Sequence, residues 1–164
     1  MEKNIILSDI QIQQKIKRIA YQILEVSTKD KTIVIAGIVG NGFLFAKKLK
    51  KEIETISNKQ CLLCEVIINK KKPLETISTS ILAEDYKNKT LILVDDVLNS
   101  GSTLIYGIKH FLDVPLKQFK TAVLVNRNHK RYPVKADFKG ISLSTSIQEQ
   151  VIVEFEKKSI AYLM

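Results

Sequence analysis

The chain of 164 residues is long enough for one compact domain with a hydrophobic core and short for two, so we predict a single domain over residues 1–164. Hydrophobic residues make up 45 % and charged residues 26 %, which excludes disordered and fibrous classes, and no apolar run approaches the ~20 residues of a membrane span. The formal net charge of +9 suggests an anionic partner, such as a nucleic acid or a phosphorylated metabolite.

The N-terminal residues predict a cytoplasmic protein that begins with a helix. The opening sequence MEKNIILSDI lacks the long apolar stretch and the small-residue cleavage site of a signal peptide. Ser8 and Gln11 form a capping-box pattern, with Ser8 at the N-cap and Gln11 at the third helical position. Apolar residues at helical spacing continue to about Val26, so we predict an amphipathic helix up to that residue.

Strands and helices then alternate along the chain. Apolar runs predict strands over 32–36, 62–68, 90–94 and 121–125, and helices are predicted over 43–49 and 103–112. Continuous apolar strands that alternate with helices indicate an α/β fold, in which helices cover both faces of a parallel sheet. After residue 126 only short segments remain, over 136–139 and 151–155, and they predict an irregular C-terminal elaboration.

The two cysteines, Cys61 and Cys64, form a CxxC pattern inside the predicted strand QCLLCEVII. A redox CxxC lies at a helix N-terminus, whereas an offset of three along a strand points the two sulfurs to opposite faces. A zinc site would need a second pair of ligands, and His110 and His129 offer no matching spacing. We therefore expect buried, inert thiols.

The strongest chemical signal follows the strand over 90–94. This strand delivers two adjacent carboxylates, Asp95 and Asp96, to its C-terminal end, and the turn from Asn99 to Thr103 then opens a helix. Backbone N–H groups and hydroxyls at a helix N-terminus bind phosphate, and ionised carboxylates accept hydrogen bonds from a neighbouring diol. A phosphate next to a diol describes a ribose 5-phosphate.

The segment from Leu91 to Thr103 resembles the phosphoribosyl-diphosphate (PRPP) signature of type I phosphoribosyltransferases. The resemblance implies that Asp95 and Asp96 form the catalytic pair that binds the ribose hydroxyls. It also implies a 5-phosphate loop made of Asn99, Ser100, Gly101, Ser102 and Thr103. Mg²⁺ is the implied cofactor, held mainly through PRPP and only indirectly by Asp95 and Asp96. The implied fold is a central parallel β-sheet flanked by helices, with a small irregular hood formed by the chain ends.

The flanking sequence narrows this resemblance. The 6-oxopurine transferases usually carry an Asp as general base where this chain has Asn99, so that subclass is disfavoured. The segments 6–23, 36–38, 122–140 and 143–146 are similar to the bifunctional pyrimidine-operon attenuator and uracil phosphoribosyltransferase family. That similarity spans nearly the whole chain and implies a homo-oligomer, expected to be a dimer.

Two segments depart from the family pattern. The pyrophosphate loop of the family usually reads Lys-Thr-Arg-Gly, whereas the matching residues here are Val39, Gly40, Asn41 and Gly42, so both cations are absent. Backbone N–H groups of this turn could still bind pyrophosphate, without charge-assisted hydrogen bonds. The connection over 69–76, which is shorter than the flap of the family, carries three consecutive lysines. These lysines either replace the missing positive charge or form a solvated loop tip.

The base-recognition segment of the family usually reads Asp-Arg-Gly-His-Arg, and this chain has Asn126, Arg127, Asn128, His129 and Lys130 in the same place. We expect Arg127 to contact the base, because it follows the strand beside the phosphate loop. A structural role and a ligand role both remain open for His129.

Three functions are consistent with these observations. The first is an enzyme that transfers the phosphoribosyl group from PRPP to a nucleobase, with a pyrimidine such as uracil favoured, although no residue is a convincing proton acceptor. The second is a nucleotide-sensing regulator that binds RNA. The third is a degenerate homologue that binds a nucleotide and does neither.

The distribution of charge bears on the choice between them. Lys accounts for 23 of the 26 cations, and dispersed Lys is typical of a solvated surface. Residues 117–139, however, hold seven cations and one acid, and this local excess suggests an anion-binding face. The anion that it implies is first of all PRPP, and RNA is second.

Overall fold

The computed structural model describes residues 2–164, which fold into nine strands and four helices. The strands are β1 (Asn4–Leu7), β2 (Thr32–Ile38), β3 (Gln60–Ile67), β4 (Ser78–Thr79), β5 (Thr90–Leu98), β6 (Gln118–Arg127), β7 (Phe138–Leu143), β8 (Val151–Phe155) and β9 (Ser159–Leu163). The helices are α1 (Asp9–Val26), α2 (Asn41–Ile56), α3 (Ala83–Tyr86) and α4 (Ser102–Phe111). None of the helices in residues 2–164 has the length and apolar composition that a membrane span requires.

The central sheet has the strand order β4-β3-β2-β5-β6-β7, and every neighbouring pair except β3–β4 is parallel. One core packs α1 and α2 on one face, and a second core packs α4 and the buried Tyr86 of α3 on the other. The predicted α/β architecture with a parallel sheet between helices is therefore confirmed. The apolar runs of β2 and β5 are continuous because both faces of these central strands are buried.

The structure differs from the sequence-based expectation after residue 126. Residues 138–143 are not an isolated short segment, because β7 pairs in parallel with β6 and extends the main sheet. The hood formed by the chain ends is also not irregular: β1, β9 and β8 form an antiparallel sheet. Pairing between residues at opposite ends of the chain, such as Asn4 with Leu163, leaves no signal in the local pattern.

The predicted start of α1 is confirmed in detail. The Ser8 hydroxyl accepts a hydrogen bond from the Gln11 N–H at 3.4 Å, and the Gln11 side chain accepts one from the Ser8 N–H at 2.9 Å. The first helical residue, Asp9, accepts a hydrogen bond from the N–H of Ser159 at 2.8 Å. The start of α1 is thereby attached to β9 of the hood.

The two cysteines lie on opposite faces of β3, as the offset of three predicts. Cys61 packs in the core with α1 and α2, and Cys64 packs in the core with α4. Both thiols are free and buried. Burial raises the pKa of Cys61 to about 11 and also raises the pKa of Cys64, so neither side chain is a thiolate near neutral pH.

We expect both thiols to resist modification in the native protein, because burial removes the reactive thiolate and blocks access to it. At pH 8, a thiol-reactive chromogenic reagent should label Cys61 and Cys64 of the folded protein slowly, at a rate limited by local or global unfolding. In denaturant, both cysteines should be labelled rapidly. Rapid labelling of either cysteine in the folded protein would contradict this assignment.

Candidate active site

A cleft with a volume of about 210 Å³ lies at the carboxyl end of the central sheet. The structure brings both predicted carboxylates and the phosphate loop, residues 99–103, into its wall. The remaining lining residues are Lys70, Val97, Leu98, Leu104, Val123 and Val151. Val151 comes from the hood, and nothing in the sequence pattern indicated that the hood reaches this cleft.

The phosphate loop is held in one conformation by its own backbone and by residues 131–134. Gly101 has a φ of +85°, and a Cβ atom at this position would lie 2.4 Å from Cγ1 of Val134. A side chain there is therefore excluded both by backbone conformation and by space. The carbonyl of Ser100 accepts hydrogen bonds from the N–H groups of Arg131 at 2.8 Å and Tyr132 at 3.1 Å.

The start of α4 leaves hydrogen-bond donors free next to this loop. Within residues 2–164, the backbone N–H groups of Thr103 and Leu104 have no acceptor, whereas the N–H of Ser102 donates to the Ser100 hydroxyl at 3.2 Å. Free N–H groups at a helix N-terminus attract an anion through both hydrogen bonding and the helix dipole. The loop therefore offers two free backbone donors to an anion.

Asp95 is buried, with 4 % of its surface exposed, although it carries a carboxylate. Its Oδ1 accepts a hydrogen bond from the Asp96 N–H at 2.9 Å and lies 3.7 Å from Nζ of Lys70. The first turn of α2 approaches the same oxygen, since a Cβ atom on Gly42 would lie 2.9 Å from it. Burial and the neighbouring Asp96 charge raise the pKa of Asp95 well above its usual value, and Lys70 opposes that rise.

The pyrophosphate turn, residues 39–42, lies beside this carboxylate, outside the wall of the cleft. The N–H of Val39 donates to the carbonyl of Val66 at 2.8 Å. In the described part of the chain, the N–H groups of Gly40, Asn41 and Gly42 have no acceptor, so the turn presents three consecutive donors. The side-chain amide of Asn41 instead donates to the carbonyl of Val153 in the hood at 2.7 Å.

Arg127 lies at the end of β6 beside the phosphate loop, the position that led us to expect a contact with the base. Its side chain is buried and lies outside the wall of the cleft. The guanidinium donates to the Asn99 side chain at 2.8 Å, to the Thr145 hydroxyl at 2.7 Å and to the carbonyl of Glu149 at 2.7 Å. The guanidinium therefore links the phosphate loop to the segment before β8.

The structure defines the contacts of His129 and Lys70, whose roles the sequence left open. His129 donates from Nε2 to the carbonyl of Thr145 at 2.7 Å, which gives it a structural role beside Arg127. In the loop over 69–76, Lys70 reaches the cleft, whereas Lys72 lies 3.9 Å from Glu75 on the solvent side. Only one of the three consecutive lysines therefore faces the cleft.

Some cations of the basic segment over 117–139 bind other residues of the protein, and others are exposed to solvent. Lys117 is paired with Asp30, and Arg127 is buried as described. The connection between β6 and β7 exposes three cations, Lys130, Arg131 and Lys135, and one acid, Asp137. This connection is in direct contact with the phosphate loop through the Ser100 carbonyl.

The cleft offers two adjacent carboxylates and several hydroxyls to a cation. Residues 2–164 contain no cluster of three or more His, Cys, Asp or Glu side chains that could hold a metal ion by themselves. Mg²⁺ is usually bound by one or two carboxylates together with phosphates of a substrate. Asp95 and Asp96 fit that mode, in which the substrate brings most of the ligands.

Comparison with known proteins agrees with this geometry. The family model for the phosphoribosyl transferase domain matches residues 4–157. The chain is 31 % identical over 168 residues to the bifunctional protein PyrR of Bacillus pumilus, with 95 % of this chain and 92 % of that protein covered. The PyrR protein of Macrococcus caseolyticus is 30 % identical over 173 residues, with 99 % of both chains covered.

A solved structure shows the same fold. The structure of a hypoxanthine-guanine phosphoribosyltransferase from Bacillus anthracis superposes with a TM-score of 0.79 over 99 % of this chain and 97 % of that one. The two sequences are 20 % identical, so this similarity concerns the fold alone.

The burial of Asp95 predicts that the stability of the protein depends on pH. The pKa of Asp95 is higher in the native protein than in the unfolded chain, where it is about 4. The contribution of Asp95 to the free energy of unfolding is therefore greatest below about pH 4 and is lost as the pH rises through the native pKa. Asp95→Asn keeps an oxygen for the Asp96 N–H and removes the charge. We expect it to raise the free energy of unfolding at pH 7 by at least about 1 kcal/mol, with a smaller gain at pH 4.

Denaturant unfolding between pH 4 and pH 7 measures this difference, and Asp113→Asn, at an exposed position outside the cleft, is the matched control. A gain for Asp95→Asn that does not change with pH would argue against a raised pKa of Asp95 in the native protein.

Proposed function

The chain belongs to the phosphoribosyl transferase family, and on that premise we propose that it transfers the phosphoribosyl group of PRPP to a nucleobase, giving a nucleoside monophosphate and pyrophosphate. The observation that carries this proposal is the shared cleft, in which the Asp95–Asp96 pair adjoins a preformed phosphate loop. A diol-binding site next to a phosphate-binding site matches the two ends of a ribose 5-phosphate.

In this proposal the phosphate loop binds the 5-phosphate and the acid pair binds the ribose. The free N–H groups of Thr103 and Leu104 donate to phosphate oxygens, together with the hydroxyls of Ser100, Ser102 and Thr103. Asp96, which is half-buried and lines the cleft, accepts hydrogen bonds from the ribose hydroxyls, and the buried Asp95 supports it. Asn99 positions the loop, since its side-chain oxygen is bound by Arg127.

The reaction exchanges one bond at the anomeric carbon for another. The bond between C1 of the ribose and the pyrophosphate oxygen breaks, and its electron pair leaves with pyrophosphate. A ring nitrogen of the base forms the new bond to C1, and the proton of that nitrogen is released to solvent. The positive charge that develops on the ribose is stabilised by the negative field of Asp95 and Asp96, which are fixed before the reaction begins.

Mg²⁺ is proposed as the cofactor. Bound with PRPP, it neutralises charge on the pyrophosphate and makes this a better leaving group. Asp95 and Asp96 would hold it indirectly, through the ribose hydroxyls and the phosphates of the substrate. The backbone donors of the pyrophosphate turn, Gly40 to Gly42, are proposed to bind the same pyrophosphate.

We propose a pyrimidine, with uracil first, as the base. The resemblance of the flanking segments to the uracil phosphoribosyltransferase family supports this choice. Asn99 supports it as well, because an amide cannot accept a proton from a purine. Pyrimidine salvage in the cytoplasm, in a dimeric protein, is the cellular role that this proposal implies.

The proposal predicts that Mg²⁺, PRPP and uracil together release pyrophosphate. Asp96→Ala removes a carboxylate that stabilises the transition state, so we expect kcat/KM to fall by about 100-fold or more. A coupled pyrophosphate assay across a panel of pyrimidine and purine bases measures this. Asp113→Ala, which removes an exposed acid outside the cleft, should retain the activity of the unaltered protein. Tight nucleotide binding without pyrophosphate release from any base would indicate a degenerate homologue.

RNA binding is a second candidate function. The relatives are named bifunctional, and the connection between β6 and β7 exposes Lys130, Arg131 and Lys135 next to the phosphate loop. The N–H of Arg131 donates to the carbonyl of Ser100, so this basic connection is attached directly to the phosphate loop. This contact supports RNA binding that depends on a bound nucleotide.

For single-stranded RNA, we expect the logarithm of the binding constant to fall linearly with the logarithm of the salt concentration, with a slope of about −0.7 for each phosphate contacted. The double variant Lys130→Gln with Arg131→Gln should reduce that slope, whereas Lys87→Gln with Lys158→Gln, which removes the same charge elsewhere on the surface, should not. Filter binding with and without a uridine nucleotide measures both effects. Salt-dependent binding that ignores RNA sequence and nucleotide would reflect bulk Lys charge alone.

A further inference from the structure

The side chain of Lys70 places a cation beside the acid pair. Lys70 follows β3, which is separated from β5 by β2 in the sheet. We propose that Lys70 binds the pyrophosphate group of PRPP in this protein, in place of the side-chain cations that the pyrophosphate turn lacks. This inference rests on the proposed function, because it assigns a residue to one part of the proposed substrate. It is carried by the position of Lys70 in the cleft, its contacts and the turn that holds it.

The strand order determines which side of the acid pair each part of PRPP can occupy. The phosphate loop contacts the β6 side of β5, since Ser100 and Gly101 pack against residues 131–134. Gly42 and Lys70 approach Asp95 from the other side, after β2 and β3. The 5-phosphate and the pyrophosphate are attached at opposite ends of the ribose ring. With the ribose on the acid pair, the pyrophosphate therefore lies on the side of Lys70 and the pyrophosphate turn.

The charges on this side require a cation. Residues 39–42 contribute backbone donors and no charged side chain. Among residues 2–164, Lys70 is the one cationic side chain within 4.0 Å of either Asp95 or Asp96. A Lys ammonium binds phosphate oxygens as a mobile point charge with three donors. A multiply charged pyrophosphate next to two carboxylates gains most from a cation at this position.

The contact between Lys70 and Asp95 can be exchanged for a ligand. The Nζ–Oδ1 distance of 3.7 Å is longer than a hydrogen bond, and 47 % of the Lys70 side chain is exposed. Lys70 is thus close to the acid without being bound tightly to it. On PRPP binding, the ammonium can turn from the buried carboxylate to the pyrophosphate without a rearrangement of the sheet.

The turn after β3 directs only the first of the three lysines to the cleft. The Asn69 side-chain oxygen accepts hydrogen bonds from the N–H groups of Lys71 at 3.0 Å and Lys72 at 3.2 Å. The Asn69 amide donates to Glu75 at 3.1 Å and closes the loop. Lys71 is exposed on the same turn and does not line the cleft, so it provides a matched control one residue away.

The experiment compares Lys70→Met, Lys70→Arg and Lys71→Met by titration calorimetry in Mg²⁺, with PRPP, inorganic pyrophosphate and ribose 5-phosphate as separate ligands. Lys70→Met should weaken PRPP and pyrophosphate by about 10- to 100-fold, which corresponds to the loss of one hydrogen bond to a charged group. Ribose 5-phosphate should bind within about twofold of the unaltered protein, as should every ligand to Lys71→Met. Lys70→Arg should recover most of the lost affinity.

The alternative outcomes are distinct. If the unaltered protein binds PRPP and Lys70→Met binds it equally well, the assignment of Lys70 is wrong and the proposed function stands. If Lys70→Met weakens ribose 5-phosphate as much as PRPP, Lys70 acts through the acid pair, and the assignment is again wrong. If the unaltered protein binds neither PRPP nor ribose 5-phosphate, the proposed function and the assignment fail together. Thermal unfolding of each variant verifies that a loss of binding is not a loss of fold.

Discussion

The burial of the Asp95 carboxylate is the constraint on which the rest of the cleft depends. A carboxyl group with so little solvent needs hydrogen-bond donors and a nearby cation in order to ionise. The structure supplies the Asp96 N–H, the ammonium of Lys70 and the close approach of the first turn of α2 at Gly42. Lys70 follows β3 and Gly42 follows β2, so the buried carboxylate of β5 brings three separate parts of the chain together.

Two polar side chains, Arg127 and Asn41, connect this site to β8 of the hood and to the segment before it. Arg127 bonds the phosphate loop at Asn99 and the segment before β8 at Thr145 and Glu149. Asn41 bonds β8 at the carbonyl of Val153. Both side chains come from segments matched to ligand-binding parts of the family, and here both satisfy protein acceptors. A movement of β8 and the segment before it would therefore be transmitted to residues 39–42 and to residues 99–103.

Much of the fold and the centre of the site could be predicted from the sequence, because their signals are local. The capping box of α1 joins residues three apart, and the acid pair lies in β5, close in sequence to the phosphate loop that follows this strand. The opposite orientations of Cys61 and Cys64 follow from the two-residue repeat of a strand. The regular hood, the pairing of β7 with β6 and the partners of Arg127 could not be predicted, since they join segments far apart in sequence.

The sequence by itself determined the parallel α/β sheet, the acid pair in β5 and the turn that opens α4, because strand burial and turn chemistry are encoded in neighbouring residues. The net charge of +9 indicated only a class of partner. The tertiary structure decided which cation lies beside the acid pair. Because β3, β2 and β5 are parallel, β3 ends at the same edge of the sheet as β5, and Lys70, which follows β3, lies 3.7 Å from Asp95. The chain ends join into a hood over the cleft. Such contacts depend on strand order, which is set by packing of the whole chain and not by any local pattern.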